Sequence, residues 1–126
     1  MLIVYDSLMG KTEKFVKRTG FPHVKIHEEL QVNEPFILVT YTCGRGDVPE
    51  TTMKFLQQHH SHLKAVASSG HRNWGIYNFC KSGVIISEKY EVPLLLKFEM
   101  LGKKSDIKKF NEGVVAIEEG IFRVQQ

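Results

Sequence analysis

The chain has 126 residues, 42% hydrophobic and 25% charged, a length and balance that suit one domain spanning 1–126 and able to bury a core without disulfides or a structural metal. Its formal net charge of +3 is mild and spread along the chain, unlike the dense basic stripe of a nucleic-acid binder. Two cysteines without C-x-x-C spacing argue against a zinc site or a secreted disulfide framework, and no signal peptide or membrane-length apolar run is visible, so neither nucleic acid nor membrane is expected as a partner and the cytoplasm is the expected location.

In chain order, "LIVY" (Leu2–Tyr5) reads as a buried strand and "KTEKFVKRTG" as a short helix stopping at Gly20, with Lys17 and Arg18 in its last turn. A weak strand follows at Val24–Ile26, then a strongly β-branched one, "PFILVTYT". Pro49 and Glu50 are helix-start signals for "PETTMKFLQQHH", with Met53, Phe55 and Leu56 facing the core. "LKAVASSG" is a fourth strand, "NFCKSGVIISEKY" a helix despite Gly83, and "VPLLLKFEML" a fifth strand. The last element, "SDIKKFNEGVVAIEEGIF", is a helix N-capped by Ser105, with Ile107, Phe110, Val114, Ile117 and Ile121 recurring at three- and four-residue steps. Strand alternating with helix predicts an α/β fold with a five-stranded parallel sheet and helices on both faces.

Ligands of such sheets bind outside the carboxyl ends of the strands, which directs attention to the loops "DSLMGKT", "TYTCGRGDVP" and "SSGHRNWG". The first ends like a triphosphate-binding loop, but Tyr5 stands where its first glycine belongs, and no strand ends in a magnesium-binding Asp. A monophosphate is the better fit: Ser7 and Thr12 offer hydroxyls, Lys11 a charge, and the loop and following helix N-terminus a set of N–H groups. Simple helix capping by Ser7 and Thr12 is the plainer alternative. The second loop is glycine-spaced and flanked by Tyr41, and the third carries Trp74, the single tryptophan. A phosphate loop beside two loops rich in glycine and aromatics suits a planar ring with a phosphate tail, and flavin mononucleotide (FMN) has that shape.

Across "LIVYDSLMGKT", "FILVTYTCGRGDVPE", "ASSGHRNWG" and "YEVPLLLKFEMLG" the chain resembles the NrdI family, flavodoxin-like proteins that partner class Ib ribonucleotide reductase. The resemblance implies a flavodoxin-like three-layer sandwich with strand order 2-1-3-4-5. It implies FMN held by Ser7, Met9, Gly10, Lys11 and Thr12 in the first loop. Tyr41, Thr42, Cys43, Gly44 and Gly46 would lie along the ring, and Gly70, Asn73, Trp74 and Gly75 would flank it. Met9 and Lys11 depart from the family's usual S-x-T-G-N-T, and His71 stands where an Asn is usual. The implied role is redox activation: reduced FMN reacts with molecular oxygen, and the superoxide or peroxide formed oxidises the dimanganese centre of the reductase small subunit to generate its tyrosyl radical. A flavin reductant is implied, and the metal belongs to the partner. A general one-electron flavodoxin and a flavin-free phosphate-binding regulatory module are the alternatives. Lys11, Arg45, His71 and Arg72 in the three loops would favour an anionic reduced flavin, with contact to an acidic partner surface as the alternative role of Arg45 and Arg72.

Overall fold

The computed structural model describes residues 1–43, 46–75 and 78–120, Trp74 by its backbone alone. Gly44, in the second loop, and Ile121, in the predicted last helix, lie outside the described residues. Five strands, β1 (Leu2–Tyr5), β2 (His23–Lys25), β3 (Phe36–Thr40), β4 (Leu63–Gly70) and β5 (Leu94–Glu99), form one sheet in the order β2-β1-β3-β4-β5. All neighbours pair in parallel. The helices are α1 (Lys11–Thr19), α2 (Glu50–His59), α3 (Lys81–Tyr90) and α4 (Lys104–Glu118), with single 3₁₀ turns at His60–His62 and Arg72–Trp74.

Period-two alternation along the strands explains why the sheet is covered on both faces. Ile3, Ile37, Val39, Ala65 and Ala67 point to one side, where they meet Phe15 and Val16 of α1 and Phe110 and Val114 of α4. Val4, Phe36, Leu38 and Val66 point to the other and meet Phe55 and Leu56 of α2 and Ile86 of α3. The first core is centred on Phe15, which stacks on Phe98 at 4.0 Å and meets Phe110 edge-on at 5.5 Å between ring centres.

Four expectations are corrected. The second strand begins at His23 and ends at Lys25, one residue earlier than read. The buried stripe of α2 is Thr52, Phe55, Leu56 and His59, and Met53 is only half-buried. The α3 segment stays a turn until Lys81, because Cys80 takes a left-handed φ of 54° that a helix cannot pass through. Ser105 is not a cap: α4 starts one residue before it, after Lys103, whose N–H donates to the Asp106 carboxylate at 2.8 Å.

Strand order reverses between β1 and β3, so the loops after these two strands open a crevice at the carboxyl edge of the sheet.

Candidate functional site

The loop after β1 is folded by its own atoms. The Gly10 N–H donates to Ser7 Oγ at 3.0 Å, and Gly10 turns the chain into α1 with φ 84°, a conformation glycine adopts without a Cβ penalty. Ser7 thus shapes the loop but does not cap the helix; among the described residues no side chain caps α1, so its first-turn N–H groups are open to an outside acceptor.

These groups face a cleft of about 360 Å³, within the range of small-molecule sites. Eight of the sequence-derived residues line it: Ser7, Met9, Lys11 and Thr12 from the first loop, Tyr41, Thr42 and Cys43 from the second, and Gly70 from the end of β4. Gly10 stands behind them as the hinge of the loop. Gly46, Asn73 and Gly75 are not in the described lining, Gly44 lies outside the described residues, and of Trp74 only the backbone is described. Gly46, at φ 107°, lets the second loop press on α3, since a Cβ there would sit 3.0 Å from the Lys81 side chain. Gly70 is needed for packing: its Cβ would fall 2.7 Å from the Cys80 backbone nitrogen.

Leu8, Ser69, His71 and Met100 also line the cleft. Met100 was hidden because "LLLKFEML" reads as unbroken strand. The strand in fact stops at Glu99, and Met100 takes a left-handed φ of 56°. With β5 ending at Glu99, Met100 falls in the loop after a parallel strand, as Ser7, Tyr41 and His71 do.

Beneath the lining segments, and reaching the cleft itself only at Thr42, runs a seam of short hydroxyl side chains. Buried Asp6, just past β1, accepts hydrogen bonds from Thr51 at 2.5 Å and Thr52 at 2.7 Å. Thr52 has one proton and gives it to Asp6, so Thr40 donates to Thr52 across 2.9 Å. Thr42 pairs with Ser82 at 2.7 Å, and Ser68 donates to the Cys80 carbonyl at 2.9 Å. The seam ties the ends of β1, β3 and β4 to the starts of α2 and α3, fixing three cleft-lining segments relative to one another.

The second loop closes on itself: Cys43 N–H donates to the Asp47 carbonyl at 3.0 Å, and Asp47 N–H returns the bond at 2.7 Å. Burial, then the carboxylates of Asp47 and Asp6, push the Cys43 thiol above its usual range, the opposite of what a nucleophilic cysteine requires. Burial and Asp6 likewise raise Tyr41. Of the candidate loop cations, Lys11 and His71 line the cleft. Arg72 turns to Glu99, Nε to Oε1 at 3.8 Å, and lies over the Phe79 ring. Arg45 lies outside the described residues.

A doubly wound sheet of this strand order, with a cleft at its switch point and an uncapped helix N-terminus opening on it, defines a flavodoxin-like protein. The chain belongs to the NrdI flavodoxin-like family: the family profile described as "NrdI Flavodoxin like" matches residues 3–112. It is 44% identical over 120 residues to Protein NrdI of Macrococcus caseolyticus (strain JCSC5402), covering 94% of this chain and 92% of that one. In fold it is similar to a short-chain flavodoxin associated with a non-canonical PDU bacterial microcompartment, with a TM-score of 0.76 at 16% identity, covering 96% of this chain and 97% of that one. It is also similar to Fusobacterium nucleatum flavodoxin bound to flavin mononucleotide, with a TM-score of 0.59 at 15% identity, covering 94% and 96% of the two chains. No helix among the described residues is long and apolar enough to cross a membrane.

Proposed function

We propose that the chain, as one domain spanning 1–126, binds FMN in this cleft and serves a class Ib ribonucleotide reductase in the cytoplasm. The observation that carries the reading is the joining of two seats in one cleft: the uncapped N-terminus of α1 beside Lys11 and Thr12, and the slot lined by Tyr41, Thr42 and Cys43. The donor set suits a phosphate monoester, with N–H groups and hydroxyls to bond its oxygens and one ammonium to offset its charge.

In this reading Ser7, Met9, Gly10, Lys11 and Thr12 hold the phosphate, Ser7 and Gly10 by setting the loop and Met9 through its backbone. Tyr41, Thr42, Cys43, Gly44 and Gly46 run along the ring, and Gly70, Asn73, Trp74 and Gly75 flank it. When bound and reduced by an electron donor, FMN supplies electrons to molecular oxygen, and the superoxide or peroxide formed is the oxidant for the dimanganese centre of the reductase small subunit. The chain's own residues position and shield. Asp6 and the threonines of α2 keep the two loops in register, and Lys11 puts positive charge at the cleft, where a reduced anionic ring is favoured. Cys43, held as a neutral thiol, stays out of the chemistry.

The purified protein is expected to be yellow, or to turn so on adding FMN. Lys11→Ala should weaken FMN binding about ten- to hundredfold, the value of one charge-assisted contact. A protein that stays colourless with FMN overturns the reading. The reduced holoprotein, mixed with oxygen and manganese-loaded small subunit, should give a tyrosyl radical by electron paramagnetic resonance. Fast electron transfer to unrelated acceptors with no radical would favour a general flavodoxin.

A further inference from the structure

Beside the cleft, the chain makes a turn that shows apolar side chains to solvent. Met100 and Leu101 are 53% and 37% exposed, although they follow a strand whose other apolar residues are mostly buried. The turn is held in that shape from several sides. Gly102 N–H donates to the Glu99 carbonyl at 3.0 Å, and one guanidinium nitrogen of Arg18 donates to the carbonyls of Leu101 at 2.9 Å and Gly102 at 3.1 Å. Gly102, at φ 75°, sits so close to Phe15 that a Cβ would come within 2.7 Å of the ring. Met100 keeps a left-handed backbone, a conformation unfavourable for a residue with a Cβ. A strained turn braced on the aromatic core and presenting apolar side chains outward is a rigid display.

The surroundings are basic. Five lysines and two acids fall within residues 97–109, so this stretch carries a formal charge equal to the whole chain's +3. Both acids are engaged internally, Glu99 by Arg72 and Asp106 by the Lys103 N–H. Lys97, Lys103, Lys104, Lys108 and Lys109 are exposed, and among the described residues none has a carboxylate within ion-pair distance. Unneutralised lysines so close together repel one another, and the arrangement is relieved by an anionic surface laid on it. The hollow between this turn and α4, about 430 Å³, is lined by Lys97, Leu101 and Lys103 among others, and Met100 belongs to both this hollow and the cleft.

We propose that the Glu99–Gly102 turn and the lysine-bearing start of α4 form a docking surface for an acidic protein segment, with Leu101 as its apolar anchor. A partner seated there reaches the rim of the cleft through Met100, so the surface aligns the partner with whatever the cleft holds. An apolar contact ringed by complementary charge supplies both affinity and a steered approach. The choice of probe rests on the preceding reading, whose partner is the class Ib small subunit.

The test measures binding of the FMN-loaded full chain to manganese-loaded small subunit from the same organism, for the wild type, the double variant Lys104→Glu/Lys108→Glu, and Leu101→Ser. Glutamate at position 104 falls in the first turn of α4, where the helix dipole favours it, so the double variant should fold normally, as checked by circular dichroism. The double variant should bind roughly tenfold more weakly, mainly through slower association, with a shallower dependence on salt. Leu101→Ser should dissociate faster, and FMN affinity should stay at the wild-type value in both. Unchanged association and affinity in the double variant overturn the proposal. So does loss of binding to phosphatidylserine vesicles without any change toward the small subunit, which would assign the lysines to a lipid surface. A wild type that binds FMN but not the small subunit overturns both the docking surface and the partner reading. Lysine-dependent capture of the small subunit by a protein that takes up no FMN supports the docking surface and overturns the cofactor reading alone.

Discussion

Tyr5 ends β1 with its ring in the core, and its hydroxyl donates to Glu13 Oε1 of α1 at 2.7 Å. Burial first, then the bond to Glu13 and its charge, push the Tyr5 hydroxyl from 10.0 up to about 12. The fold therefore favours the protonated phenol. The stability this contributes is complete below pH 10, where the unfolded tyrosine is also protonated, and is lost as pH rises from about 10 to 12. Glu13 shifts the other way: chiefly the bond from Tyr5, then Lys17, hold it below the usual carboxylate range, so its contribution is lost as the medium turns acid. Denaturant midpoints measured across alkaline pH should fall steeply for the wild type between pH 10 and 12. They should fall less for Tyr5→Phe, which starts from a lower stability without this bond. Equal slopes would show that Tyr5 is not the titrating group.

At the scale of the element, Gly83 decides how α3 sits on the sheet. Inside a helix, glycine costs about 1 kcal/mol against alanine, so propensity alone predicts that Gly83→Ala stabilises. The close approach reverses the sign. A Cβ there would fall 2.3 Å from Ser68 Oγ of β4 and 2.8 Å from the Leu94 side chain of β5, an overlap whose relief costs typically 1–3 kcal/mol and more when a seam hydroxyl must move. Gly83→Ala should therefore lower stability by roughly 1–2 kcal/mol in urea unfolding. A rise would mean that α3 can lift without penalty. The same residue shows where sequence reading stops. The run "SGVIIS" was legible as helix, but what faces glycine is fixed by strands more than ten residues away on either side. Local signals carried the rest of the fold well: "LIVY", "FILV" and "LKAVASSG" are β-branched or apolar runs whose burial on both faces follows from composition, and Gly10 and Gly20 bracket α1. The lining of the cleft was legible where its residues lie in glycine-rich loops, as with Ser7, Thr12 and Thr42. It was hidden where a left-handed residue broke an apolar run, as at Met100, or where the contact is between distant hydroxyls, as for Asp6 with Thr51 and Thr52.

For the whole molecule, the cleft is assembled from widely separated parts of the chain. Its lining runs from Ser7 through Tyr41 and Gly70 to Met100, brought together by a sheet in which the first strand lies between the second and the third. A ligand in that cleft binds the folded chain and not the unfolded one, so FMN at about a hundred times its Kd should add about 2.7 kcal/mol to stability, roughly 10 °C in Tm. A Tm that does not move with FMN concentration would place the cofactor elsewhere or nowhere.

That dispersal also bears on synthesis of the chain. No shorter N-terminal portion lacking β5 can complete the cleft, because Met100 arrives only after the fifth strand has been made and paired. On the proposed reading, capture of FMN would then act as a checkpoint on completion of the fold, since a chain whose fifth strand is unpaired would lack the Met100 wall of the cleft.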